Sequence, residues 1–278
     1  QVRDFIVDSA LFWLDEYRMD GLRWDATASI HAAGGTPIPE GWDLLRRAND
    51  TVDAQQPWKI MIAEDMKGNA AVTRPTSAGG AGFDAQWDAS FVHTIRSAIE
   101  PASDAGRSMS SVRDAIAGAF DGRATSRIVY TESHDEVANG KTRVPEAIWP
   151  GNAASYYSKK RSALGAAIAL TSPGIPMLFQ GQELLEDGWF SDTDPLAWSK
   201  AVRNDGIVRL YSDLIRLRRN LDGTTRGLRG NSVNVYHVND RDKVIAFHRW
   251  DRGGAGDDVI VVANFSGHSI TVYRRPAS

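Results

Sequence analysis

Three acidic residues, Asp25, Glu64 and Asp135, stand where apolar, strand-like runs stop. The runs are Met-Asp-Gly-Leu-Arg-Trp-Asp (19–25), Lys-Ile-Met-Ile-Ala-Glu-Asp (59–65) and Arg-Ile-Val-Tyr-Thr-Glu-Ser-His-Asp (127–135), each preceded by a helix-like stretch. In a barrel of parallel strands such ends converge on one face, where enzymes of this build keep their chemistry. Three carboxyl groups meeting there, with Arg23 and His134, predict acid/base and nucleophilic work on a neutral polar substrate.

Each residue also has a plainer reading. Side chains alternate along a strand, so Arg23 and Asp25 share a face. The guanidinium can hold the carboxylate ionised and oriented, as a nucleophile requires, or the two can form a structural ion pair. Glu64 ends a hydrophobic strand, a setting that favours a protonated carboxyl and therefore a general acid; otherwise it opens a loop, with Asp65 capping the next turn. Around Ser133-His134-Asp135-Glu136 no second His lies at ligand spacing, so no metal is expected. His134 suits donation to substrate hydroxyls and Asp135 suits support of developing positive charge, the alternative being a solvated acidic loop. No cofactor is expected. A nucleotide-dependent transferase would need a Gly-rich phosphate loop after a strand, and none occurs.

The elements that must position these groups follow from periodicity. Helical spacing of apolar residues marks 2–17, 41–55, 91–99, 111–120 (capped by Ser110 or Ser111), 156–170 and 207–220. Strands are expected at 19–24, 60–63, 83–87, 128–131 and 175–180. This alternation predicts parallel βα units. After Asp222-Gly223 the pattern changes to runs at 233–238, 244–250, 259–264 and 269–273, separated by turn clusters: an antiparallel sheet. The expected fold is α/β, the C-terminal portion of a (β/α)8 barrel over 1–222 followed by a small all-β domain over 223–278. Five parallel strands fall short of eight, so either the sheet is open or, as the barrel reading expects, an upstream segment or a complementing chain completes it.

Bulk properties bound the partners. The 278 residues are 42% hydrophobic with a net charge of -3, giving no electrostatic sign of a nucleic-acid partner. No apolar run approaches the ~20 residues of a membrane span. With no cysteine there is no disulfide or thiolate site, and a cytoplasmic location is expected.

Asp20-Gly21-Leu22-Arg23-Trp24-Asp25-Ala26, Ala63-Glu64 and Ser133-His134-Asp135 resemble, in order and separation, the second, third and fourth signature regions of the α-amylase superfamily of glycoside hydrolases and transglycosidases. The resemblance covers nearly the whole chain. It implies Asp25 as nucleophile, Glu64 as acid/base, Asp135 as transition-state stabiliser, and Arg23 and His134 as helpers in the sugar subsite. Ser-His-Asp-Glu-Val followed by Gly140-Lys141, and the segment 177–183, are most similar to 1,4-α-glucan branching enzymes, which implies glycogen, starch or maltooligosaccharides as substrate. A glucan hydrolase of amylase or trehalose-releasing type, and a non-catalytic glucan-binding fragment, stand as alternatives. The family's first signature region has no match and is expected before Gln1. Trp149, Trp189, Phe190 and Trp198 sit in segments after strands, where they can stack on sugar rings or simply pack.

Overall fold

The computed structural model describes residues 1–273. The chain divides into two compact units, residues 1–89 with 119–128, and residues 90–118 with the chain from 129 onward.

In the first unit α1 (Val2–Asp15) precedes β1 (Gly21–Trp24), α2 (Thr27–His31) and a short hairpin, β2 (Ala32–Ala33) with β3 (Thr36–Pro37). Then come α3 (Pro39–Gln55), β4 (Ile60–Ala63), β5 (Ala85–Trp87) and the start of β6 (Arg127–Val129). Pro39 opens α3, where its missing N–H is no loss, and the helix buries Leu44, Leu45, Ala48 and Val52 at helical spacing. Leu45 and Val52 meet Leu14 of α1, Met61 of β4 and Phe83 in one core. Leu45 is fully buried, so its truncation to Ala would cost about 2–5 kcal/mol.

The strands run parallel: Gly21 to Trp24 pair with Ile60 to Ala63, Ile62 and Ala63 with Ala85 and Gln86, and Gln86 and Trp87 with Arg127 and Ile128. Gly21 is required at the first of these pairings, because a Cβ there would lie 2.1 Å from the Ile60 carbonyl oxygen. The buried Arg127 guanidinium donates to Asp88 at 2.9 Å, tying the end of β5 to β6.

The second unit holds α4 (Ala89–Ile99), α5 (Met109–Ala117), α6 (Val144–Ile148), α7 (Tyr156–Thr171), β7 (Ile175–Pro176), α8 (Ser199–Arg203) and α9 (Asp205–Arg218). Met177 N–H donates to the Val129 carbonyl at 3.0 Å, setting β7 beside the end of β6. β8 (Ser232–Asn239), β9 (Val244–Trp250) and β10 (Val259–Asn264) form an antiparallel sheet with β9 central. This sheet shares a core with the helices: Phe247 and Phe265 pack with Phe91, Ile95, Met109, Val112 and Ile168. Buried Arg249 of β9 donates to the carbonyls of Thr171, Leu228 and Gly230. Gly165 of α7 leaves room for a close neighbour, since a Cβ would approach Ile99 Cδ1 at 2.7 Å.

Three sequence expectations are corrected. The strand foreseen at 175–180 is only Ile175–Pro176, and Pro176 within it has no N–H to give to a ladder. Residues 269–273 form no strand, leaving β10 at the edge of a three-stranded sheet. The cap of α5 is Ser108 rather than Ser110 or Ser111; its side chain accepts the Ser111 N–H at 3.1 Å.

Candidate active site

At the ends of β1 and β4 one guanidinium engages two carboxylates. Arg23 Nη1 donates to Asp25 Oδ1, and Arg23 Nη2 lies 3.0 Å from Glu64 Oε2. The planar fork of Arg is suited to holding two acids at once. The guanidinium also sits 4.6 Å from the ring centroid of Trp87, at the end of β5, a cation–π contact that fixes its plane. Asp25 is 78% exposed, whereas Glu64 is only 14% exposed. The two acids are therefore unequal: one open to an incoming molecule, the other sheltered. The surroundings of Glu64 are polar rather than apolar, because besides Arg23 its Oε2 accepts the Ala26 N–H at 2.7 Å.

The turn after β1 is fastened to the end of β4. Glu64 N–H donates to Trp24 C=O at 2.9 Å, and Thr27 N–H donates to Glu64 C=O at 3.0 Å. Ala26 between them is left-handed, with φ 45°. Asp65, fully buried, does not cap a turn; its Oδ2 lies 2.8 Å from His31 Nε2 at the end of α2, and His31 stands edge-on to Trp42. Reasoning from sequence passed over His31 and Trp87. The signal for Trp87 was its place at a strand end; His31, 34 residues from Asp65, carried none.

His134 and Asp135 belong to the second unit. His134 Nε2 is 3.3 Å from Asp135 Oδ2, and both side chains are about half exposed. Two buried acids flank them. Glu132 accepts the Val144 N–H at 2.6 Å and faces Arg143; burial pushes its carboxyl above the usual range against those two contacts. Glu136 lies 3.1 Å from His93 Nε2 and 3.3 Å from Lys141 Nζ. Burial there would raise its carboxyl, but the hydrogen bond with His93 and the Lys141 cation prevail and lower it. Arg143 also donates to Gln180 C=O at 2.9 Å and stacks over Phe179. The segment bearing His134 and Asp135 is thus anchored on both sides while its two central side chains stay accessible.

Of the aromatics, Trp149, Trp189 and Trp198 are exposed, while Phe190 packs edge-on against Phe179 at 5.1 Å. Among the described residues no three His, Asp or Glu side chains gather as a metal-ligand set, and no helix is long and apolar enough to cross a membrane.

Parallel strands ending in acids, a shared Arg and an antiparallel C-terminal sheet describe an α/β domain with its carboxylates at strand ends, and comparison with known proteins gives its family. Residues 1–224 match the alpha-amylase catalytic domain, and the chain belongs to that family. It is 30% identical over 291 residues to the 1,4-alpha-glucan branching enzyme GlgB of Paramagnetospirillum magneticum and 31% identical over 298 residues to that of Thermobifida fusca. Each alignment covers 96% of this chain and 37% of the relative, so the chain spans little more than a third of the length of those proteins. A pullulanase from Anoxybacillus sp. LM18-11, solved with maltotriose, shares the fold at a TM-score of 0.69 and 24% identity over 95% of this chain and 40% of its own.

Proposed function

We propose that the protein of which this chain is part is a retaining transglycosidase acting on α-1,4-glucans, a 1,4-α-glucan branching enzyme. The observation that carries the reading is the shared Arg23 fork, which holds an exposed and a sheltered carboxylate at neighbouring strand ends. The family and the names of the relatives supply the substrate class.

In this reading Glu64 protonates the glycosidic oxygen as Asp25 attacks the anomeric carbon, giving a glycosyl-enzyme ester and a free glucan end. Glu64, now ionised, takes the proton of an acceptor hydroxyl that displaces Asp25. Retaining chemistry calls for carboxyl groups ~5–5.5 Å apart. Asp135 supports the oxocarbenium-like charge, and Arg23 and His134 hold the reacting sugar. The order of events needs no cofactor. The barrel over 1–222 would be completed by upstream sequence or a complementing chain, residues 223–278 would serve as the β-domain, and the protein would work in the cytoplasm.

The acceptor decides between transfer and hydrolysis. For transfer, a glucan 6-hydroxyl must outcompete water through binding that holds it near the anomeric carbon. Incubating the full-length protein with linear amylose tests this: new α-1,6 linkages by NMR, with few new reducing ends, are expected. Reducing ends accumulating in proportion to bonds cleaved would make the protein a hydrolase, and an unchanged polymer would leave only glucan binding.

A further inference from the structure

Within the second unit a cavity of about 680 Å³ lies between the first turns of α7 and the segment following β10. Its lining includes Arg107, Tyr156, Tyr157, Lys160, Arg161 and Ser269, and no Asp or Glu. Arg107 is buried. Its Nη atoms donate to Asp104, Phe265 C=O and Pro101 C=O, but its Nε, equally buried, has no hydrogen-bond partner among the described residues. Asp104 is the one acid against Arg107, and it also accepts the Gly267 N–H at 2.9 Å. Arg161 donates to the carbonyls of Pro101 and Ala102, which bring no formal charge. Lys160 Nζ stands 5.7 Å from the Tyr156 ring centroid. Among the described residues, three permanent cations thus face a single carboxylate.

The helix makes the imbalance worse. α7 runs for 16 residues with no acid in its first turn, and Lys159, Lys160 and Arg161 occupy its first two turns. Cations there oppose the positive end of the helix dipole. An anion in the cavity would offset both effects.

The same place offers aromatic faces. Tyr156 and Tyr157 are 64% and 45% exposed, with ring centroids 5.6 Å apart. Exposed Trp149 lies 6.4 Å from Tyr157. Large rings left open in a group suit a ligand with an apolar face, and the Ser266 and Ser269 hydroxyls at the rim suit one with a polar edge.

We propose that this cavity binds a pyranose carrying a phosphate group, the ring lying on the tyrosines and the phosphate beside Lys160 and Arg161. The inference does not rest on the proposed catalytic roles, because binding requires no turnover.

Isothermal titration of the full-length protein with glucose 6-phosphate and with a phosphorylated maltooligosaccharide tests it, beside maltotetraose and inorganic phosphate as comparisons. At least one phosphorylated ligand should bind more tightly than either comparison, with affinity falling as salt is added. Binding of glucose 6-phosphate identifies a free sugar phosphate as the source of the group, and binding of the oligosaccharide alone identifies a phosphate ester on glucan. Lys160→Gln should weaken binding about tenfold through loss of a charge-assisted contact. Tyr156→Ala should weaken the sugar phosphate while leaving inorganic phosphate unchanged. Both side chains are exposed, and an unaltered thermal midpoint confirms that the variants fold. Neither phosphorylated ligand binding more tightly than maltotetraose and inorganic phosphate, no binding of either phosphorylated ligand, or full affinity in Lys160→Gln would overturn the proposal.

Discussion

Replacing Arg23 tests the site where it is most specific. Arg23 and Glu64 are 26% and 14% exposed, and their closest atoms are 3.0 Å apart. At an effective dielectric of about 20, unit charges at that distance attract by about 5.5 kcal/mol. Water entering the vacated space recovers part of this, while removing one partner of a sheltered pair typically costs about 3–5 kcal/mol. Taking about 3 kcal/mol as the share felt in the transition state, Arg23→Met should lower kcat/KM about 10²-fold. Arg23→Lys keeps the charge but not the fork, so it serves Asp25 or Glu64 but not both; a loss of about tenfold is expected. The assay is initial-rate kinetics on an activated maltooligosaccharide with the full-length protein, alongside circular dichroism to establish folding. If Arg23→Met stays within twofold of the parent, the guanidinium does not organise the two acids, and the argument from its shared contact fails.

Three further outcomes follow from the same geometry. Asp25→Asn should abolish turnover at nearly constant volume and leave the thermal midpoint unchanged, since Asp25 is largely exposed; residual turnover above a hundredth of the parent rate would assign the nucleophile elsewhere. Glu64→Gln should impair glucans, whose leaving groups need protonation, far more than activated aryl glycosides, so equal losses on both would remove it as the acid. The Met109 N–H at 2.6 Å, helped by the Ser110 hydroxyl and Lys243, holds the Asp240 carboxyl below the usual carboxylate range. A depressed folded pKa gives stability that is complete above the unfolded value of about 3.9 and lost as pH falls through the folded one. Asp240→Asn should therefore destabilise the protein to urea at pH 7 and make little difference near pH 2; an equal effect at both would contradict the assignment.

The sequence disclosed the strands that carry chemistry more clearly than those that only complete the sheet. β1 and β4 end sharply because an apolar run meets Asp25 or Glu64, and the register Trp24–Ala63 brings those ends together. β5 keeps only Ala85–Trp87 of the expected run, because Phe83 turns into the core and the Asp84 side chain accepts the Met61 N–H at 2.8 Å. β7 was overestimated, its Pro176 having no N–H to donate. The C-terminal runs form an antiparallel sheet, β8 to β10, as their turn-separated pattern predicts. Composition could not show that Phe247 and Phe265 would share a core with α4 and α5, because a buried phenylalanine in a half-buried strand looks alike whichever layer covers it. Contacts far apart in sequence, Arg127 with Asp88 and His31 with Asp65, left no periodic trace at all.

His31 and Asp65 show how the fold spends stability on rigidity beside Glu64. A left-handed alanine is unfavourable, since outside glycine that conformation crowds Cβ against the backbone, yet Ala26 adopts it at φ 45°. That conformation aims the Ala26 N–H at Glu64 Oε2 and the next N–H, from Thr27, at the Glu64 carbonyl. Two hydrogen bonds onto one residue offset the strain, and the His31–Asp65 contact pins the far end of α2 to the adjacent residue of the same strand. Residues 26–31 thus meet residues 64–65 at both ends, with a helix of five residues between them. A carboxylate on a bare strand end would sweep through its rotamers. Here Arg23 fixes it from one side and the Ala26 amide from the other, so its orientation is set before any substrate arrives. In the acid role proposed for Glu64, preorganisation of that kind lets the group meet a leaving oxygen without reorganising during the reaction. The strained alanine is therefore better understood as part of the site than as a defect of the turn.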